Sequence, residues 1–200
     1  MPRNATSKSA SKSGKTAPRG PAKASTNNAI KLLTEDHKKV KELFDEFEKM
    51  KSKGYEDNDA RQLIVETVCT ALTIHAQIEE EIFYPAARDA IDDIDLLDEA
   101  EVEHASAKQL ISELSAMQPG DELYDAKFTV LGEYVKHHIE EEEKELFPKV
   151  KKSGVDLDEL GEELQQRKLE LRDELGIPAD DEEIDDEEKS SKSTSRKNVH

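Results

Sequence analysis

Residues 75–85 read His75-Ala76-Gln77-Ile78-Glu79-Glu80-Glu81-Ile82-Phe83-Tyr84-Pro85, and residues 138–148 read His138-Ile139-Glu140-Glu141-Glu142-Glu143-Lys144-Glu145-Leu146-Phe147-Pro148. In each run a histidine precedes a glutamate by four residues, and a proline follows that glutamate by six. Residues four apart on an α-helix stand one above the other on the same face. Each His-x-x-x-Glu pair can therefore aim two donors at one ion, and two such runs can serve two ions. The repetition also predicts a helical unit that occurs twice.

The flanking sequence has the period that such a unit needs. Ile30, Leu33, His37, Val40, Phe44 and Phe47 follow a three-four spacing, the mark of one buried helical stripe closed by Gly54. The second stripe runs Ile64, Val68, Ala71, His75, Ile78 and Ile82. The third is Ile94, Leu97, Glu101, His104, Ile111 and Leu114, closed by Pro119-Gly120, with Asp121 placed to cap the next helix. Phe128, Leu131, Val135, His138, Glu142 and Leu146 form the fourth, and Leu157, Leu160, Leu164 and Leu171 a shorter fifth. Nothing between residues 29 and 175 alternates like a strand.

The fold class expected is all-α: an up-down-up-down four-helix bundle built from two repeated helical hairpins, with a short fifth helix packed outside it or against a partner. The repeat extends beyond the two runs. Asp36-His37 is followed by Lys41 and Leu43, and Glu103-His104 by Lys108 and Leu110 at the same offsets. The organisation expected is a disordered basic arm over 1–27, the bundle over 28–152, an additional helix over 153–175 and a disordered charged tail over 176–200.

Charge limits the partners. Residues 28–175 hold 39 acidic and 19 basic side chains, whereas residues 1–27 hold six basic and no acidic ones. An acidic body opposes a nucleic-acid groove, which needs clustered Lys and Arg, so nucleic acid is expected only at the basic arm if at all. The single cysteine, Cys69, allows neither an internal disulfide nor a thiolate metal cluster. With no apolar leader and no stretch of membrane-spanning length, the expected location is cytoplasmic and no membrane partner is expected.

Four of the six histidines, His37, His75, His104 and His138, fall on the buried stripes of four different helices. An apolar face takes up roughly 3/7 of a helix, so chance would place all four there about 3% of the time. Buried imidazole and carboxylate need partners, and a metal supplies them to all six groups together. Imidazole and carboxylate without thiolate suit iron, manganese or zinc. Six donors exceed what one tetrahedral zinc takes but suit two ions bridged by Glu79 and Glu142. His137 offers a competing frame with Glu141, but the seam register favours His138. Ile74, Ile78, Leu131 and Val135 are candidates for a dry pocket around a diatomic ligand, and Cys69 reads as a small buried hydrophobe.

On these residues the sequence resembles the hemerythrin-like family, the HHE cation-binding domain, over roughly residues 28–150. The resemblance rests on the lone histidine opening each half, His37 and His104, on the two His-x-x-x-Glu runs, and on their apolar-Pro endings. It implies a four-helix bundle around a non-haem di-iron centre with carboxylate bridges. The cofactors it implies are two iron ions, ahead of manganese or zinc, and the partner is dioxygen or another small diatomic ligand. Family members carry oxygen, sense oxygen, iron or nitric oxide, or act in repair of damaged iron centres. The oxygen carriers have a further histidine one turn from the third-helix histidine, where this chain has Ala100 and Lys108. They also have His-x-x-x-x-Asp where this chain has His138-x-x-x-Glu142. Glu101 and Tyr134 are the candidates to fill the gap. The more open site favours oxygen, iron or redox sensing or handling over bulk carriage. A metal- and oxygen-binding protein is expected ahead of a dedicated enzyme. The alternatives are a di-iron redox enzyme, peroxide- or oxygen-reactive or repairing iron centres, and a metal-dependent interaction module.

Overall fold

The computed structural model describes residues 28–54 and 57–177; the expected basic arm and nearly all of the expected charged tail lie outside the described residues. Among the described residues the helices are α1 (Ala29–Ser52), α2 (Asn58–Ile78), α3 (Tyr84–Ala90), α4 (Asp95–Ser115), α5 (Tyr124–Glu141), α6 (Phe147–Ser153) and α7 (Leu157–Glu174). A π-helical turn, Glu79–Phe83, joins α2 to α3, and a second, Glu142–Leu146, joins α5 to α6. The bundle therefore has four arms: α1, α2 through α3, α4, and α5 through α6. Each arm packs on the next, and α5 returns to α1 to close the ring. No described strand interrupts it, so the fold is the all-α bundle that the periodicity predicts.

The core has two apolar parts. Val40, Phe44, Phe47, Val68, Leu114, Phe128 and Leu131 fill one end, and Leu33, Ile78, Phe83, Leu97, Leu146, Phe147 and Val150 the other. Between them lies a polar layer. His37, His75, Glu79, His104, His138 and Glu142 are the buried polar or charged side chains among the described residues.

α7 lies outside the ring, against α1, α2 and the first π-turn. Leu160, Leu164 and Leu171 on it are buried in the second apolar cluster. It is also tied down by charge. Asn28 Nδ2 donates to Asp158 Oδ1 at 3.4 Å, Arg167 Nε to Glu81 Oε2 at 2.7 Å, and Lys168 Nζ to Asp36 Oδ1. None of the described helices is long and apolar enough to cross a membrane.

Two local expectations are corrected. Asp121 does not cap α5: its carboxylate accepts from the Gln118 N–H at 2.8 Å, closing the preceding turn. The helix begins three residues later, after Leu123, which takes a left-handed φ of 69° and provides no side-chain cap. On α4, the buried face is Leu97, Ala100, His104 and Leu114, and Glu101 points outward. The 3.6-residue period permits either Ala100 or Glu101 between Leu97 and His104, and the apolar residue takes the inner place while the carboxylate stays in solvent.

Candidate metal centre

Each arm of the bundle carries one histidine into the polar layer, and arms two and four each add a glutamate. On α2 the α-helical spacing sets His75 and Glu79 on one face, with His75 Nε2 3.2 Å from Glu79 Oε2. On α5, His138 Nε2 lies 3.5 Å from Glu142 Oε2. The four imidazoles meet in two pairs. His37 Nε2 is 3.0 Å from His75 Nε2, and His104 Nε2 is 3.1 Å from His138 Nε2.

The carboxylates reach across both pairs. Glu79 Oε2 adjoins His75 and, at 3.5 Å, His104 Nε2. Glu142 Oε2 adjoins His138 and, at 3.2 Å, His37 Nε2. Each glutamate thus touches one ring of each pair. Both glutamates are buried, yet Glu79 Oε1, Glu79 Oε2 and Glu142 Oε2 have no hydrogen-bond partner among the described residues. Leaving buried carboxylate oxygens unsatisfied is costly, and a cation held between them would offset that cost.

The donor spacing fits one. With metal–donor bonds of about 2.1 Å, adjacent ligands stand roughly 3.0 Å apart at right angles and roughly 3.4 Å apart at tetrahedral angles. The nearest nitrogen and oxygen donors here are 3.0–3.5 Å apart, and within each group all lie within 4.8 Å of one another. His37, His75, Glu79 and Glu142 form one group that could hold an ion, and Glu79, His104 and His138 another.

The outer nitrogen of every ring faces a carboxylate. His37 Nδ1 lies 3.0 Å from Glu143 Oε1, His104 Nδ1 3.0 Å from Glu80 Oε1 and His138 Nδ1 2.8 Å from Glu103 Oε2. His75 Nδ1 stands further off, 3.6 Å from Asp36 Oδ2. A proton held at Nδ1 by such a carboxylate leaves the Nε2 lone pair aimed at the centre, the tautomer a metal needs. Lysines back three of the four carboxylates: Lys41 on Glu143, Lys108 on Glu80 and Lys168 on Asp36. The halves exchange two of these supports, since Glu143 of the second half serves His37 of the first and Glu80 of the first serves His104 of the second.

Burial and crowding separate the two glutamates. Burial raises Glu79 well above the ordinary carboxylate range, and the charge of Glu142 adds to the shift. For Glu142 burial also pushes upward, but His138, His37 and His75 outweigh it and bring it down to about 2. Burial lowers His104 to about 4, with His138 adding to the effect. Burial also lowers His75, whereas at His138 it is overcome by Glu142 and Glu103, which raise that group. At Asp36 burial is likewise overcome, by the His75 ring and the Lys168 ammonium, which bring the carboxyl down to about 2.

Sequence reasoning missed Tyr84. Its hydroxyl donates to Glu142 Oε1 at 3.0 Å and lies 3.2 Å from His104 Nε2, fully within the polar layer. On an α-helix a residue five beyond Glu79 would stand about 140° round the axis. The π-turn widens the helix at that point and brings the ring back beneath the glutamate. In the second half the equivalent residue is Phe147, whose ring stacks on His37 with centroids 5.8 Å apart. The signal was available in the two prolines: a proline has no N–H for the i−4 carbonyl, and a π-turn just before it supplies a fresh helix start.

Glu101 lies elsewhere, whereas Tyr134 borders the cavity that reaches the histidines. The Glu101 carboxylate accepts from Arg88 Nη2 at 2.9 Å on the surface, and Tyr134 is 51% exposed. An apolar cavity does reach the histidines, but among the four residues expected to line it only Val135 does so, together with Val40, Leu72, Ala107, Ile111 and Ile139. Ile74 and Ile78 belong to the apolar cluster that also takes in α7, and Leu131 lies in the opposite cluster. Cys69 is a buried residue of that opposite cluster.

Comparison with known proteins agrees with this geometry. The family described as hemerythrin HHE cation binding domain matches residues 28–150. The crystal structure of a hemerythrin HHE cation binding domain-containing protein from Mycobacterium kansasii superposes with a TM-score of 0.61 at 26% identity, covering 74% of this chain and 88% of that one. A protein of Nostoc sp. (strain PCC 7120 / SAG 25.82 / UTEX 2576) named DNA nickase is 26% identical over 153 residues, which is 74% of this chain and 41% of the nickase.

Proposed function

The chain belongs to the hemerythrin HHE cation-binding domain family, and from that premise we propose that His37, His75, Glu79, His104, His138 and Glu142 would hold two non-haem iron ions, each glutamate reaching both histidine pairs. The observation that carries this reading is the contact of each buried glutamate with one ring of each histidine pair, together with the oxygens left unpartnered. When bound, such a centre supplies one-electron steps at two ions and coordination positions open to dioxygen or another diatomic ligand.

The chain's own residues set the conditions for that chemistry. Glu143, Glu80 and Glu103 hold the Nδ1 protons of His37, His104 and His138 and so orient those three rings, while Asp36 faces His75 Nδ1 from 3.6 Å. Val40, Leu72, Ile111, Val135 and Ile139 line the approach with hydrocarbon, which admits a small apolar ligand and discourages water. Tyr84 Oη keeps its proton, since burial and then Glu142 push its pKa well above the ordinary phenol value, and that proton is shared with Glu142 Oε1. The biological reading is oxygen, iron or redox sensing or handling.

A second reading, a peroxide- or oxygen-reactive enzyme, gains support from Tyr84, a protonated hydroxyl beside the proposed centre. The nickase activity belongs to a relative of which this chain spans 41%, and the acidic excess of residues 28–175 opposes a phosphodiester substrate on the bundle.

The deciding experiment is metal analysis and optical spectroscopy of the full chain purified from iron-replete cells. Roughly two irons per chain are expected, with near-ultraviolet charge-transfer bands that vanish on reduction. His75→Ala and Glu79→Ala should each lower the iron content. Zinc in place of iron, or full iron occupancy in both variants, would overturn the assignment. Sustained peroxide turnover would move the function to the enzyme reading.

A further inference from the structure

His137 stands next to the proposed ligand His138 yet faces outward, with its side chain 65% exposed. Its Nε2 lies 3.4 Å from Glu141 Oε1 and 3.8 Å from Glu103 Oε1. The other oxygen of Glu103 lies 2.8 Å from His138 Nδ1. One carboxylate therefore belongs both to an exposed His–Glu–Glu group and to the support of a buried ring.

The internal repeat supplies a comparison within the same molecule. The positions equivalent to Glu103, His137 and Glu141 in the first half are Asp36, Ile74 and Ile78. Ile74 and Ile78 are buried, and Asp36 is neutralised by Lys168 from α7. α7 packs on that flank, against α1, α2 and the first π-turn. Among the described residues the other flank sets no lysine on Glu103 but a nitrogen donor and a second carboxylate, and the ligand atoms of the three residues lie within 4.8 Å of one another. Glu103 also lines the cavity that leads to all four buried histidines, with the half-exposed Tyr134 ring beside it.

We propose that Glu103, His137 and Glu141 form an outer site for a hydrated divalent transition-metal ion, and that Glu103 hands the ion inward to the histidine layer. One imidazole and two carboxylates suit a borderline divalent ion, with water completing its coordination. Exposure makes the site weak and fast to exchange, as a loading site must be. The two carboxylate charges raise the local cation concentration at the cavity. The handover rests on the reading of the buried layer as the metal centre; the outer site does not.

The test uses the full-length metal-free chain and cobalt(II), whose visible spectrum reports nitrogen and oxygen ligation. Mixing should show a fast phase from the outer site, then slower filling of the buried one. His137→Ala and Glu141→Gln should each remove the fast phase and slow the filling about tenfold, with final buried occupancy unchanged. Glu66→Gln, an exposed acid on α2, should change neither phase and so excludes general charge attraction. An unchanged fast phase in both variants overturns the outer site. A lost fast phase with unchanged filling overturns the handover. If the buried layer takes no cobalt, the dinuclear proposal fails, while equilibrium binding that depends on His137 still decides the outer site.

Discussion

At Gly132 the backbone of α5 approaches α1 so closely that an added Cβ would lie 2.9 Å from Phe44 Cδ1. Phe44 is itself wedged against Phe128, with ring centroids 4.9 Å apart, so it has little room to yield. Gly132→Ala is expected to destabilise the bundle by about 1–3 kcal/mol despite its better helix propensity, measured by urea unfolding. A gain in stability would mean that the α1–α5 approach is looser than described. Tyr84 and Phe147 illustrate a different single-residue effect. They occupy matching places in the repeat, yet one oxygen atom gives the first a hydrogen bond to Glu142 and leaves the second to pack on His37. The two halves are therefore chemically unequal at the centre although their donor sets match.

Among the elements, α7 is the asymmetric one. It covers apolar surface of the first half and reaches the polar layer through Lys168, Asp36 and His75 in turn. Lys168→Ala removes the ammonium that anchors Asp36, the carboxylate that faces His75 Nδ1 from 3.6 Å. Metal affinity is expected to fall about tenfold, with helical content unchanged by circular dichroism. Arg167→Ala is the matched control: Arg167 binds Glu81, Glu170 and Glu174 rather than a carboxylate that supports a ring, so affinity should stay put. Equal losses in the two variants would show that α7 contributes only packing. The two π-turns act differently, by changing helix phase within an arm, and each begins at the glutamate that faces the centre.

For the molecule as a whole, six polar groups buried between two apolar clusters make the metal a part of the folding equilibrium. A ligand at about 1,000 times its dissociation constant stabilises the native state by roughly 4 kcal/mol. Stripping the bound metal with a chelator should therefore lower Tm by about 10 °C in scanning calorimetry. The double variant His75→Ala, His138→Ala should melt at one temperature with or without chelator. Identical melting of the native chain in both conditions would show that the layer is satisfied without metal.

The four-arm bundle and the residues of its polar layer were legible in the chain because both depend on short-range periodicity. Apolar residues at three-four spacing name the inward face, and His37, His75, His104 and His138 stand on it alongside Leu33, Val68, Leu97 and Leu131. Glu79 and Glu142 join them by the four-residue rise from a histidine, a local relation that folding preserves. Phase errors marked the limit of that reasoning. Glu101 and Ala100 are one residue apart, and only the packing of neighbouring arms selects which turns inward. Tyr84 enters the layer because a π-turn alters the period. Relations across arms were out of reach for a different reason. That Glu80 supports His104, that Glu143 supports His37 and that Lys168 holds Asp36 depend on where separate helices come to rest, and sequence spacing carries no information about distances between elements that meet only on folding.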